Sequence, residues 1–505
     1  MSLAIYQFTG ILICLAVTGL LHKIIHAYKS PLSRIPGPWY AFLTDLPLRY
    51  GFSTGKIWRL AEQSHQRYGP IVRLGPRHVW VSDREAMKQI LITIDLPKVA
   101  MYAEISRDRC SPGLFGEIRH DPHRRLKKFL SPAFTVAYID NQEMLFKQCI
   151  SDFMQKCRTA IESHAHAGAQ AVESDLMEDL HNLALDIMGE CSFGKGFGQT
   201  NPDKQAEDGI EERIWKSIPR SIFDGLAKRY QAVYIKRFLR CLGISMKYDW
   251  PSEMITAIDC IVQKRKDTSI GTSRQDLLQH LIDNGMKPES GICTDTRDIV
   301  DQMSEILLAG SETTSGTIAC LFLELARNPD VKAKLLATLP IRTALDPIID
   351  SHTIRNDPQY EYLNACIKEN LRLHPIASEM GRRTGKNWVS LMGYNLPPHT
   401  VVSASYRDLH RNGQYWPEPL RFWPERWLSD EERTAASAPS PDGGKHSCIG
   451  INFAWAEMRM VSANFFSQFD LNEVPHQNVD FRQFITMQFM TGSWKALIKP
   501  RVQPI

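Results

Sequence analysis

No Cys-x-x-Cys pair occurs in this chain, and its 11 cysteines are odd in number and scattered, with Cys149 and Cys157 the closest two. Most sit in apolar stretches, as Cys191, Cys320 and Cys366 do, which reads as reduced, buried thiols in a reducing compartment. Cys448 stands apart from that pattern. Excess charge is also scarce: 60 Lys and Arg face 56 Asp and Glu, a net +4 over 505 residues, which gives no reason to expect a nucleic-acid partner. Repeats and long low-complexity linkers are missing, so the body reads as one domain although its length alone would allow several. Strand-like runs are few. Beyond the N-terminus no window reads as a second membrane span; residues 301–325 come closest, but Asp301, Glu305, Glu312 and Glu324 interrupt them.

What is present begins at the N-terminus. From Ser2 to His22 there is no Asp, Glu, Lys or Arg, and Leu, Ile, Val and Phe dominate. A helix needs about 20 residues to cross the hydrocarbon core. A cleaved signal would end in small residues, whereas this run meets His22, Lys23, Ile24 and Ile25 with no Ala-x-Ala, so residues 1–28 read as an uncleaved anchor. Lys23, Lys29 and Arg34 flank only its C-terminal side, which by the positive-inside rule leaves the body in the cytosol. Residues 29–38, with Pro36-Gly37-Pro38, form a basic, proline-rich hinge through which neither helix nor strand continues, read as a stiff spacer.

Residues 39–505 are expected to be mainly α with a minor β portion. Ile71–Leu74 and His78–Ser82 flank Gly75-Pro76 as an early hairpin. Asp298–Arg327 keeps helical spacing until Asn328-Pro329 and would run about 45 Å. Residues 431–447 are the most loop-like stretch.

Four separated segments carry chemistry. Ala309-Gly310-Ser311-Glu312-Thr313-Thr314 places poor helix formers mid-helix, Gly costing about 1 kcal/mol there. Either a kink or groove turns Thr313 toward a ligand, with Glu312 beside it as proton relay, or Gly310 serves a helix crossing and the threonines bond back to their own helix. Glu369 and Arg372 share a helix face, which alone suggests a surface ion pair of little worth. Phe422-Trp423-Pro424-Glu425-Arg426-Trp427 reads as a packed aromatic loop whose Arg426 can join that pair in a charge cluster. Gly443-Gly444-Lys445-His446-Ser447-Cys448-Ile449-Gly450 sets a cysteine in a tight loop before the apolar helix Asn452–Phe466, where amides and the positive helix end stabilise a thiolate.

In this order and at these separations the four segments resemble the cytochrome P-450 family, and the resemblance runs from Pro36 to the C-terminus. Residues 309–314 look like its oxygen-activation motif, Glu369 and Arg372 like its Glu-x-x-Arg pair, Pro424–Trp427 like its Pro-Glu-Arg-Phe motif, and Cys448-Ile449-Gly450, with Ala454 and Glu457 following, like its haem-ligand core. Ser131–Phe134 and Asp186–Phe197 look like internal helices of the family, and the Pro-Gly-Pro hinge is similar to that of fungal microsomal members. The resemblance implies a single haem domain, haem b with Cys448 as axial thiolate, and Thr313 and Glu312 managing protons. It implies insertion of one oxygen atom from O2 into a small lipophilic molecule of secondary metabolism. Glu369, Arg372 and Arg426 would be structural.

Some positions depart from the pattern. Pro441 replaces an aromatic seven residues before the cysteine, and His446 replaces an arginine that meets a haem propionate. His123 and Lys127 stand where a Trp or His and an Arg usually do, again as propionate ligands, and Arg382, rather than Arg383, is expected to supply another such contact. No flavin or nicotinamide segment follows the haem loop, so electrons are expected from an NADPH-dependent flavoprotein reductase at the endoplasmic reticulum membrane. Pocket residues are expected within 101–118, 213–236, 301–309, 376–380 and 487–491, including Ile105, Phe115, Ile376, Met380, Met487, Phe489 and Met490. Two rivals stand beside the monooxygenase: a reductase-independent haem-thiolate isomerase or dehydratase, against which Glu312-Thr313 argues, and a non-catalytic haem or apolar-ligand binder.

Overall fold

A computed structural model describes residues 2–106, 112–165, 171–201, 233–244, 250, 252–268, 276–284, 295–428 and 444–501. Pro441, Gly443, positions 431–443 of the loop-like stretch and positions 213–232 of the window 213–236 lie outside them. The helices that position the site are α1 (Ser2–Lys29), α2 (His120–Leu130), α3 (Glu143–Ala165), α4 (Leu176–Phe193), α5 (Ser252–Thr268), α6 (Leu277–Asn284), α7 (Thr296–Arg327), α8 (Glu361–Leu373) and α9 (Ile451–Gln468).

Helix α1 leaves Ile11, Leu15, Leu20, Leu21 and Ile25 uncovered by the rest of the chain. The hinge behind it is not a free spacer. Leu32 and Ile35 are buried, the Pro36 carbonyl accepts from the Arg73 amide at 2.8 Å, and a Cβ on Gly37 would overlap the Arg73 carbonyl. The hinge is therefore docked on the first sheet. Helix α7 proves apolar enough in one window to cross a membrane, which its scattered acids had argued against, but 83% of that window is buried in the body. It is a core helix.

The main sheet runs β1 (Ile71–Gly75), β2 (His78–Val81), β7 (Val401–Ser405), β4 (Glu379–Arg383). The expected hairpin is the antiparallel pair β1 and β2; β7 joins parallel to β2, and β4 antiparallel to β7 with Arg382 opposite Val402. A three-stranded sheet orders β3 (Val172–Asp175), β11 (Lys495–Pro500) and β8 (Phe469–Glu473), and β9 (Phe481–Gln483) pairs with β10 (Met487–Phe489).

Helix α7 starts on Asp295, whose carboxylate accepts the Asp298 amide at 2.9 Å, a side-chain cap that satisfies one of the free amides of a first turn. It ends where Pro329 removes a donor. Its C-terminal half packs with α3, α4, α8 and α9 in one apolar core, and its N-terminal half with α5 and α6 in a second. Ile105 belongs to the second core, and Met487 and Phe489 are buried too, Phe489 in the first, so these three are packing residues rather than pocket lining. Phe115, Ile376, Met380 and Met490 stay half-buried.

Candidate active site

Helix α7 continues unbroken through Gly310–Thr314, and its hydroxyls bond back along the same helix. Ser311, Thr313, Ser315 and Thr317 each donate to a carbonyl four residues back, Thr313 Oγ1 to Ala309 O at 2.7 Å. Gly310 serves a helix crossing: a Cβ there would come within 2.5 Å of Met188 Sδ on α4. Of the two readings of this segment, crossing and back-bonding are what the fold uses. A partly open face survives nonetheless. Ile306, Ala309, Gly310 and Thr313 are half-buried in a stretch where their neighbours are buried, and their spacing sets them on one side of the helix. Glu312 lies about 100° round from Thr313. Its carboxyl is buried, which pushes it up to about 8, and its carbonyl accepts from Gln488 Nε2 of β10 at 2.9 Å.

The cysteine lies where expected, in a turn over Gly444–Gly450 directly before α9, at the positive end of the helix. Gly444 has φ +90°, and a Cβ on it would overlap the Leu91 carbonyl, so this turn needs glycine. Cys448 is exposed, whereas Cys149, Cys157, Cys191, Cys320 and Cys366 are buried; burial raises the thiol pKa of Cys157, Cys191, Cys320 and Cys366. Ile449 and Phe453 of this loop and helix pack against the same core as Ile306 of α7. Lys127 of α2 holds the turn. Its ammonium donates to Ser447 O and Ser447 Oγ at 2.7 Å and to Lys445 O at 3.1 Å, one acceptor for each of its donors.

Beside the loop lies a buried, mostly cationic cluster. Arg382 points inward from β4 while Arg383 is half-buried on the other face. Lys98 is buried next to it, joined through the backbone bridge between Lys98 and Arg382, and burial with the nearby Arg382 holds its ammonium down to about 7. His123 and His446 meet with ring centroids 4.3 Å apart and their planes tilted by 41°. Burial and the surrounding cations lower His123 to about 3 and His446 to about 2, so both are neutral at pH 7. Asp95 is the counter-charge, 3.1 Å from Lys445, 3.5 Å from His120 and 3.7 Å from His446. Arg382 Nε and both ring nitrogens of His446 are buried without a hydrogen-bond partner. Buried donors are costly unless bonded, so a cluster of cations and open donors fits an anionic, hydrogen-bond-accepting group such as a pair of carboxylates.

The Glu369 pair is no surface ion pair. Arg372 binds it in a fork, Nε to Oε2 at 2.9 Å and Nη2 to Oε1 at 2.8 Å, with both side chains fully buried. Arg426 Nε reaches Oε1 at 3.1 Å, the Trp423 amide Oε1 at 2.9 Å and Trp427 Nε1 Oε2 at 3.0 Å. Arg372 also caps the carbonyls of His410, Pro419 and Arg421. The expected joining of Arg426 to the pair is what the fold makes.

Fold and site together define a mainly helical protein built around a haem with a cysteine thiolate ligand. The chain belongs to the cytochrome P-450 family, whose model matches residues 34–499. It is similar to the cytochrome P-450 monooxygenase FUS8 of Gibberella fujikuroi, 29% identical over 484 residues covering 94% of this chain and 89% of that one. It is also similar to the monooxygenase acrD of Aspergillus aculeatus, 28% identical over 91% of this chain and 89% of that one, and to sthF of Phaeosphaeria nodorum, 28% identical over 87% and 84%. The protein is accordingly a monooxygenase with haem b and an axial cysteine thiolate as cofactor. Such enzymes draw electrons from a redox partner and act on lipophilic substrates.

Lys98, Asp95, His120 and Glu305 belong to this region and were not singled out from sequence. Lys98 carried a faint signal, a lysine in the run Leu96-Pro97-Lys98-Val99, and Glu305 lay inside the expected pocket window 301–309; Asp95 and His120 carried none.

Proposed function

We propose that Cys448 would ligate the haem iron, that Arg382, Lys98, His446 and His123 would hold the haem carboxylates, and that Thr313 and Glu312 handle protons at the half-open face of α7. The observation that carries this reading is the buried cluster with unpartnered Arg382 and His446 nitrogens beside the Cys448 turn. When bound, haem supplies the activation of O2 with electrons from the partner. The protein's own groups do the rest. The turn amides and the end of α9 stabilise the sulfur as thiolate. Thr313, its proton given to Ala309 O, presents its oxygen as acceptor for a water on the half-open face. Glu312 keeps a proton at pH 7 because burial disfavours its charge, and can release it toward that face. Lys127, with its donors already engaged, steadies the turn.

In this reading α1 is a single-pass anchor in the endoplasmic reticulum membrane with the body on the cytosolic side, the electron donor is an NADPH-dependent flavoprotein reductase, and the substrate is a small lipophilic secondary metabolite. Half-buried Phe115, Ile376, Met380 and Met490 support an apolar pocket. The test is reconstitution of the full chain with the reductase, scoring product formed per NADPH consumed against candidate metabolites from cells lacking the gene. Product requiring both NADPH and O2 is expected. Product formed without either indicates an isomerase or dehydratase, and ligand-induced spectral change without product indicates a binder.

A further inference from the structure

We propose that Glu305 is a positioning residue that pins a strap, Gly113–Gly116, against α7 beside its half-open face and thereby sets which ligands fit; the proposal rests on the monooxygenase reading above. Glu305 is buried on α7, about one turn ahead of Ala309. Its Oε2 accepts from the Phe115 amide at 3.0 Å and the Gly116 amide at 3.4 Å, and its Oε1 accepts from the Ser106 hydroxyl. Gln302 Oε1 on the same helix accepts from the Leu114 amide at 3.0 Å. Consecutive strap amides are thus held by α7.

The strap's carbonyls are held from elsewhere. Lys98 Nζ donates to Leu114 O at 3.2 Å and to Phe115 O at 3.0 Å. Lys98 belongs to the cluster with Arg382, so the strap ties α7 to the cluster that would hold the haem carboxylates. Composition enforces the close approach: a Cβ on Gly113 would overlap the Glu305 carboxylate, and one on Gly116 would overlap the Ser106 hydroxyl. A turn bonded through both its amides and its carbonyls to buried side chains belongs to the rigid end of the stability range. Phe115, edge-on to Tyr102 at 5.4 Å, is the apolar side chain that this strap fixes in place.

The experiment uses the haem-loaded full chain. Glu305→Leu removes the acceptors at similar volume. Gly113→Ala pushes the strap away while Glu305 stays. Glu305→Gln can still accept from the amides and donate to Ser106. The readouts are amide hydrogen exchange at residues 114–116 and the affinities of imidazole and 1-tritylimidazole, followed by their Soret shifts. Both disruptive variants are expected to raise exchange by about tenfold or more and to shift the affinity ratio toward the bulky azole by about tenfold. Glu305→Gln should keep the wild-type ratio. Unchanged exchange in the disruptive variants, or a wild-type size ratio in both, overturns the proposal. Should Glu305→Leu fail to retain haem, Gly113→Ala decides by the same two readouts. A wild-type protein without a thiolate-type carbon monoxide band would instead overturn the monooxygenase reading.

Discussion

Two charged clusters lie buried in this protein, and they differ in whether they are closed. The Glu369 cluster joins one carboxylate to two guanidiniums, both carboxylate oxygens accept from several donors, and Arg372 spends what remains on three carbonyls. The Lys98–Arg382 cluster gathers cations and neutral imidazoles around one carboxylate, Asp95, and Arg382 Nε and both His446 ring nitrogens still lack a hydrogen bond. The first is complete as it stands and reads as a brace. The second is complete only with an anion from outside, which is how a ligand site differs from a structural ion pair.

The largest effect is expected from breaking the closed cluster. Glu369→Ala strands two buried guanidiniums, and removing one partner of a buried pair costs about 3–5 kcal/mol. Urea unfolding should show that loss, or the variant should fail to accumulate folded. A loss below about 1 kcal/mol, the level of a surface pair, would erase the contrast. In the open cluster the sign should reverse for the haem-free protein. Arg382→Met removes a cation with an open donor, so melting of the haem-free chain should hold or rise, while haem retention weakens by about 10- to 100-fold, the worth of a hydrogen bond to a charged group. Transfer of haem to apomyoglobin measures the second part. A destabilised haem-free variant with normal retention would make Arg382 part of a brace.

Helix α7 adds a third comparison. Thr313→Ala should lower product formed per NADPH by about tenfold, less than the 10²–10⁴ typical of acid–base groups, because the hydroxyl proton is already engaged and water can take the place of its oxygen. Thr314, buried on another side, is the control. Equal coupling in wild type and Thr313→Ala would remove Thr313 from proton handling. Glu312 gives an effect confined to neutral and alkaline pH. Its pKa in the fold, about 8, lies above the ordinary carboxylate value, so the folded protein binds the extra proton. Its stabilising contribution is full below that ordinary value and is lost as pH rises through 8. Glu312→Gln should therefore melt near wild type at pH 4.5 and above it at pH 9. A constant difference across that range would mean the carboxyl titrates normally.

The sequence revealed those parts whose signals are local. The hairpin around Gly75-Pro76, the extent of α7 and the glycine-bracketed turn before α9 each follow from neighbouring residues. The Glu369–Arg372 spacing was visible but not its burial, which comes from the Trp416 and Trp423 rings placed over the guanidiniums by a loop far along the chain. The Lys98–Arg382 cluster was half legible. His123, Arg382 and His446 were found by likeness to a pattern, whereas Lys98 and Asp95 enter through β-bridge and ion-pair geometry that no periodicity records. Thr313 lies on the half-open side of an unbroken helix, and its engaged hydroxyl was one of two readings the residues allowed. Ile105, Met487 and Phe489 show the remaining difficulty, since apolar residues look alike in a pocket and in a core.

The central claim is that Cys448 is the thiolate ligand, and the most direct measurement is the absorption spectrum of the reduced protein under carbon monoxide. Wild type should show the red-shifted Soret band of thiolate-ligated haem. Cys448→Ala should lose that band and all turnover, because the other described cysteines are either buried and inert or lie away from this turn. A Cys448→Ala protein that kept the red-shifted band would contradict the assignment and place the ligand elsewhere.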